Sequence, residues 1–295
     1  MRHLFAILML LVLALVCGAL LAVPVYKLLH SLADVRLHKL LPQVISITGF
    51  ILLVAWLGYQ NLLNRPTLGY TIRPGGGVTT AVLGGFVAGV LVIAVLAITL
   101  IVLGIHQLET DLEFDPVSGM RIATLALCTG IMVGLIEETL YRGALLGALL
   151  ARMPPLHAVL ASSVLYAAVH FLKFAEVPAG TPITWASGVY LLASAFYRFS
   201  EPAILDAFLS LLAFGILLSL VRIRSGVIYQ CIGLHAGVVT AMRIVNKTTD
   251  YVPHNTLAFL VNRYDHMLGY LALLWLSACI LVYYKFTGTE PGLDK

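Results

Sequence analysis

Charge is the first thing this chain is short of. Only 11% of its 295 residues are Asp, Glu, Lys or Arg, against 60% hydrophobic, where soluble domains carry about a quarter charged residues. A water-soluble globular domain is thereby excluded, and an integral membrane protein is the class that remains. The net charge of +4 is thinly spread. No basic stripe with interleaved aromatics occurs, so nucleic acid is not an expected partner. Cysteine is scarce too: Cys17, Cys128, Cys231 and Cys279 all lie in apolar runs and form no CxxC pair, which argues against a disulfide framework or a thiolate metal site. The chain has no internal repeat and no HExxH. The glycine-rich "RPGGG" at Arg73–Gly77 lacks the Lys-Ser/Thr ending of a phosphate loop.

What the chain has in abundance is long hydrophobic runs. A bilayer core takes about 20 apolar residues per helix, and on that ruler eight spans are predicted. They are Leu4–Tyr26, Gln43–Leu63, Val78–Ile105, Arg121–Leu150, Leu156–Phe171, Pro202–Val221, Gly226–Val245 and Asp265–Phe286. The fold class expected is an all-α polytopic membrane protein with an intramembrane cavity, surrounded by the lipid bilayer. The first run is too long for a signal-peptide core and has no clean cleavage site, so it is read as an anchor. Ala175–Glu201, with its prolines, tyrosines and Trp185, is read as an interfacial or amphipathic stretch. Lys and Arg are balanced between the two sides and leave orientation open. The acidic loop "HQLETDLEFDP" is only a hint that its side is external.

Against that background "LIEETLYRGAL" (Leu135–Leu145) stands out, because it sets Glu137, Glu138 and Arg142 within one span. A charged residue at the centre of a span costs roughly 2.5–3.5 kcal/mol on insertion scales, so three in so short a stretch must face a bundle interior or a watered cavity. On a helix Glu138 and Arg142 share a face and can pair. Glu137 points about 100° away, which leaves it free for chemistry. The competing reading is a structural ion cluster that locks helix packing. Among nine histidines only His170, closing "SSVLYAAVH", and His235, in "IYQCIGLHAGVV", fall well inside predicted spans. At 1.5 Å per residue, Glu137 and His170 each lie about 22 Å from the Arg152–Pro155 turn, and His235 lies about 15 Å along its own span from the same face. The three reach a similar depth. A carboxylate and an imidazole desolvated together can take a proton from water, and a second histidine can donate to an oxyanion. Glu-His-His is also a conceivable zinc set. It is not favoured, because its members come from three separate helices, and no cofactor is expected.

These blocks resemble a known family. "EETLYRG" matches the EExxxR motif of the CAAX-protease and bacteriocin-processing family, the intramembrane glutamic proteases related to the Ras-converting enzyme. "SSVLYAAVH" is similar to its FxxxH motif, with Tyr166 for Phe. "RSGVIYQCIGLHAG" is similar to the block that ends in HxxxN. The resemblance covers about Arg121 to Val245 and implies a membrane-embedded endopeptidase. By it, Glu137 is the general base, His170 orients the water, Glu138 and Arg142 hold the geometry, and His235 stabilises the oxyanion. It also implies a membrane-associated protein or peptide substrate. The motif's Asn falls on Val239, which cannot donate a hydrogen bond, and Asn246 is too far along the helix to substitute. The expected organisation is N-terminal membrane helices over 1–118, a protease-like core over 119–245, and a loop with a last membrane helix over 246–295. A multi-pass protein is expected, of the cell membrane if the source is bacterial. Two other readings stay open: a non-proteolytic protein of the same fold (immunity factor, scaffold or partner-binding subunit), and a proton-coupled transporter.

Overall fold

The computed structural model describes residues 2–31, 35–72, 77–109, 115–178 and 180–287. Arg73–Pro74–Gly75–Gly76 and the middle of the acidic loop, residues 110–114, lie outside them. The described chain is almost wholly helical. Its long helices are α1 (Arg2–His30), α2 (Leu37–Tyr59), α4 (Val78–Val102), α5 (Pro116–Glu138), α9 (Leu205–Ser225) and α10 (Tyr229–Thr248). Shorter ones are α3 (Arg65–Leu68), α6 (Leu146–Leu150), α7 (Pro155–Val169), α8 (Trp185–Ala195) and α11 (Tyr270–Phe286). One small antiparallel ribbon pairs β1 (His106–Leu108) with β2 (Thr249–Tyr251).

The expected all-α membrane architecture is what the structure shows. Helices occur at all eight expected places, but among the described residues five segments are both long and apolar enough to cross a bilayer. They are Phe5–His30, Leu37–Tyr59, Val78–Val102, Pro116–Leu150 and Pro202–Ser225. The helices α7 and α11, at 15 and 17 residues, are apolar but short. The helix α10 is long enough but carries Gln230, His235, Thr240, Arg243, Asn246 and Lys247. It tolerates them because it is packed between α4 and α5 rather than facing lipid on all sides. The stretch read as interfacial contains the 11-residue α8, too short to span. At its N-terminus Thr184 N donates to Ser187 Oγ at 3.0 Å and Ser187 N to the Thr184 carbonyl at 3.0 Å.

Two compact units are distinguishable. The first comprises Met1–Leu63 and Ala168–Ile204. In it α1 packs on α2 and α8 around Ala19, Ala22, Leu41, Phe174 and Leu191. Small residues allow the close approach, with Gly18 against the Ile45 backbone and Gly188 against the Ala19 carbonyl.

The second unit comprises Asn64–Ala167 and Leu205–Lys295. Asp115 caps α5 by accepting from the amides of Val117 and Ser118 at 3.2 and 3.0 Å. The Ser118 hydroxyl, with those amides, holds the Asp115 carboxyl below the usual carboxylate range. Three Gly-xxx-Gly pairs organise the centre. Gly85 and Gly89 of α4 face the backbone of α10 at Gln230 and Leu234, while Gly233 and Gly237 of α10 face the α4 backbone at Val82 and Phe86. On the other side Gly130 and Gly134 of α5 lie against Ile232, Ala236 and Thr240 of α10. Lipid tails are as apolar as leucine, so membrane helices associate through close van der Waals packing, which such small residues allow. A methyl group on Gly89 would overlap the Leu234 carbonyl, whereas one on Gly84 would meet nothing within 4 Å. Gly89→Ala is therefore expected to destabilise the protein by about 1–3 kcal/mol. Gly84→Ala should leave it unchanged or slightly more stable. Melting of the detergent-solubilised variants checks this, and equal melting of the two would refute the close-packing account.

Candidate active site

The close packing of α10 on α5 brings His235 against the carboxylate pair at the end of α5. The helix does not continue regularly there. Directly after Glu138 it widens into a π-helical turn, Thr139–Leu145, a distortion that proteins use preferentially at functional sites. The Thr139 hydroxyl donates to the Leu135 carbonyl at 2.6 Å, so at 2.5 Å it accepts from the Tyr70 hydroxyl. Gly143 and Gly147 of the widened stretch and α6 lie against the carbonyls of Leu68 and Thr67.

Glu138 is completely buried, and its Oε1 accepts from Arg142 Nη1 at 3.2 Å and from His235 Nδ1 at 2.7 Å. Arg142, 1% exposed, also donates from Nη2 to the Gly215 carbonyl at 3.1 Å and lies 4.4 Å from the centre of the Tyr166 ring. A guanidinium held over an aromatic face gains from the ring's quadrupole, more so where water is excluded. His235 is boxed by Phe214 and Tyr166, both edge-on, at 5.3 and 6.2 Å between centroids. Its Nε2 faces Glu137 Oε2 at 3.9 Å, and the Glu137 side chain is 28% exposed. The two neighbouring carboxylates thus live in different surroundings: Glu138 is locked on a cation and an imidazole, and Glu137 is accessible.

The tautomer of His235 follows from these contacts. An ionised Glu138 only accepts, so Nδ1 carries the proton and donates. The other ring nitrogen is then an acceptor in the neutral ring and a donor only in the imidazolium.

Of the five residues singled out in the sequence, Glu137, Glu138, Arg142 and His235 meet in the second unit. His170 does not sit inside a helix as expected. The helix α7 ends at Val169, and His170 begins the turn beyond it, exposed and within the first unit. The two histidines therefore differ, with His235 inside α10 and His170 directly after the last residue of α7. The Tyr166 ring is the floor under Arg142, a place the motif's Phe would also fill. Sequence reasoning misses Tyr141, Phe214 and the Gly215 carbonyl. Tyr141, edge-on to Tyr166 at 5.2 Å, sits inside the EExxxR block itself; Phe214 and Gly215 lie in an otherwise featureless apolar run. Val239, at the motif's Asn position, is half-buried on α10 one turn past His235.

A carboxylate pair and an arginine on one helical stretch, with a histidine brought in from α10, lie within a polytopic membrane protein. Residues 119–241 match the family model described as Rce1-like, type II CAAX prenyl endopeptidase Rce1-like. The match bears out the resemblance read from the motif blocks, and it covers less than half of the chain. It supports a CAAX-type membrane protease kind of function, with a membrane-associated protein as substrate and a lipid setting. Neither the curated proteins nor the solved structures contain a match to the chain.

Proposed function

We propose that the protein is an intramembrane endopeptidase that hydrolyses a peptide bond of a membrane-associated protein or peptide precursor, using a water activated by glutamate and histidine. The observation that carries this reading is the 3.9 Å between Glu137 Oε2 and His235 Nε2. It is too long for a direct hydrogen bond and suits a general base and an oxyanion donor flanking one small reacting group.

In this reading Glu137 accepts a proton from water as the water oxygen bonds to the peptide carbonyl carbon. The carbonyl oxygen becomes an oxyanion and accepts from His235 Nε2–H, which requires the imidazolium form. Glu138 orients that ring through Nδ1, and Arg142 fixes Glu138. With His235 charged, the four groups carry two negative and two positive charges, a balanced set for a buried site. Collapse of the intermediate breaks the C–N bond, and the proton held by Glu137 passes to the leaving amine. His170 enters on the motif alone, as the residue that steadies the water.

The direct test is a survey of protein and peptide termini in membranes and medium. Cells carrying the wild type are compared with Glu137→Gln cells at equal protein level. New termini that occur only with the wild type are expected, and they identify the substrate. Identical termini in both would sink the protease reading.

Val239 is the one feature that favours a non-proteolytic protein of the same fold. In the protease reading Val239→Asn restores a donor one helical turn from His235 and is expected to raise turnover, by up to about 10²-fold. Val239→Asn cells and wild-type cells that both show the same termini as Glu137→Gln cells would favour the non-proteolytic alternative.

A further inference from the structure

A cavity of about 770 Å³ is lined by Arg65, Tyr70, Thr71, Ile72 and Tyr229. Its walls are helix ends and the connections beside them. Arg65 opens α3, Tyr70 to Ile72 follow it on the way to α4, and Tyr229 is the first residue of α10. Connections between spans run toward the lipid headgroups, where tyrosines collect.

The frame is well tied. Tyr70 N donates to the Arg65 carbonyl and Ile228 N to the Gly69 carbonyl, both at 2.9 Å. The Tyr70 hydroxyl is anchored on Thr139, and the Tyr70 and Tyr229 rings meet edge-on at 5.7 Å. Gly69 is required at its turn: its φ is +78°, and a Cβ there would strike the guanidinium of Arg222.

The nearby cations differ in what they do. Arg222 donates to the carbonyls of Pro66 and Thr67, closing the C-terminus of α3. Arg224 donates to the carbonyls of Tyr283 and Tyr284 at the end of α11. Arg65, by contrast, has no side-chain hydrogen bond or ion pair among the described residues, and neither do the hydroxyls of Thr71 and Tyr229. The cavity therefore offers a free guanidinium fork and two free hydroxyls beside an isoleucine that is 71% exposed.

We propose that this cavity binds the phosphate of an anionic phospholipid headgroup. A guanidinium matches phosphate oxygens in bidentate geometry, the hydroxyls supply further hydrogen bonds, and Ile72 meets the first apolar carbons of the lipid. A free inorganic phosphate would use the same donors but gain nothing from Ile72. The lining includes none of Glu137, Glu138, Arg142 and His235, and the test involves no proteolysis.

The full chain is purified in detergent and exposed to equal amounts of phosphatidylglycerol and phosphatidylcholine. Bound lipid is then read by mass spectrometry of the intact complex. Wild type is expected to retain phosphatidylglycerol over phosphatidylcholine by about fivefold, the effect of one well-placed basic residue. Arg65→Gln should bring the ratio to parity with the helical circular dichroism unchanged, while Arg152→Gln, a loop arginine outside the cavity, keeps the preference. A preference that survives Arg65→Gln, or is lost equally in Arg152→Gln, overturns the site. Displacement of phosphatidylglycerol by excess inorganic phosphate shows a soluble anion as the ligand and overturns the lipid assignment.

Discussion

Glu137→Gln is expected to lower peptide-bond hydrolysis by about 10²–10⁴-fold, the range for loss of a positioned general base, and to leave the melting temperature of the purified protein unchanged. The amide keeps the shape of the side chain but cannot hold the proton that the attacking water gives up. Stability is spared because the ion pair of the site runs through the other carboxylate: Arg142 donates to Glu138, and Glu137 is partly exposed. The assay uses a peptide spanning a cleavage site found by the survey of termini, with wild type and variant compared in the same lipid. Wild-type turnover by Glu137→Gln would place the base elsewhere. A large drop in melting temperature would make Glu137 a member of a structural ion cluster, the competing reading of the same carboxylate pair.

How much of this site can be read from sequence depends on what each residue has to stand out against. Glu137, Glu138 and Arg142 are legible because charge is costly within an apolar run. The pairing of Glu138 with Arg142 follows from four-residue spacing. The widened turn that carries them is not legible. An α-turn and a π-turn present the same residue types, and the difference here lies in tertiary partners, Tyr70 on Thr139 and the α3 carbonyls on Gly143 and Gly147. His235 is legible as a polar residue deep in a span. The location of His170 is not, since one or two residues at a helix end decide whether it is inside. The three Gly-xxx-Gly pairs lie in plain view and carry more than the expectations above take from them. As packing motifs, they put α4, α5 and α10 together on spacing alone. Hydropathy has a related blind spot. A helix enclosed by two others, as α10 is, can carry polar residues that a lipid-facing helix cannot, and hydropathy does not register its neighbours. Arg222 makes the same point in reverse, since it reads as an ordinary charge at the end of a span yet is buried against the end of α3.

Glu138→Ala is expected to destabilise the protein by about 3–5 kcal/mol, because removing one member of a buried ion pair leaves the other charge uncompensated. Arg142 is 1% exposed, and its remaining contacts are a single carbonyl and two aromatic rings, none of which neutralises it. The same change frees His235 Nδ1, so the ring loses the contact that fixes its tautomer and orientation, and activity should fall together with stability. Combining Glu138→Ala with Arg142→Met separates the two effects. Replacing both charges by apolar groups is often nearly neutral, so the double variant should recover most of the melting temperature. Turnover should not recover, since His235 still lacks its carboxylate. Four proteins, wild type, two singles and the double, form a cycle whose coupling term isolates the pair. A double variant that melts as low as Glu138→Ala would show that shape, not charge, holds this part of the core. Recovery of turnover along with stability would show that the orientation of His235 does not depend on Glu138. The expected split, stability restored and catalysis still lost, fits only a site in which Arg142 compensates the charge of Glu138 and Glu138 in turn positions His235.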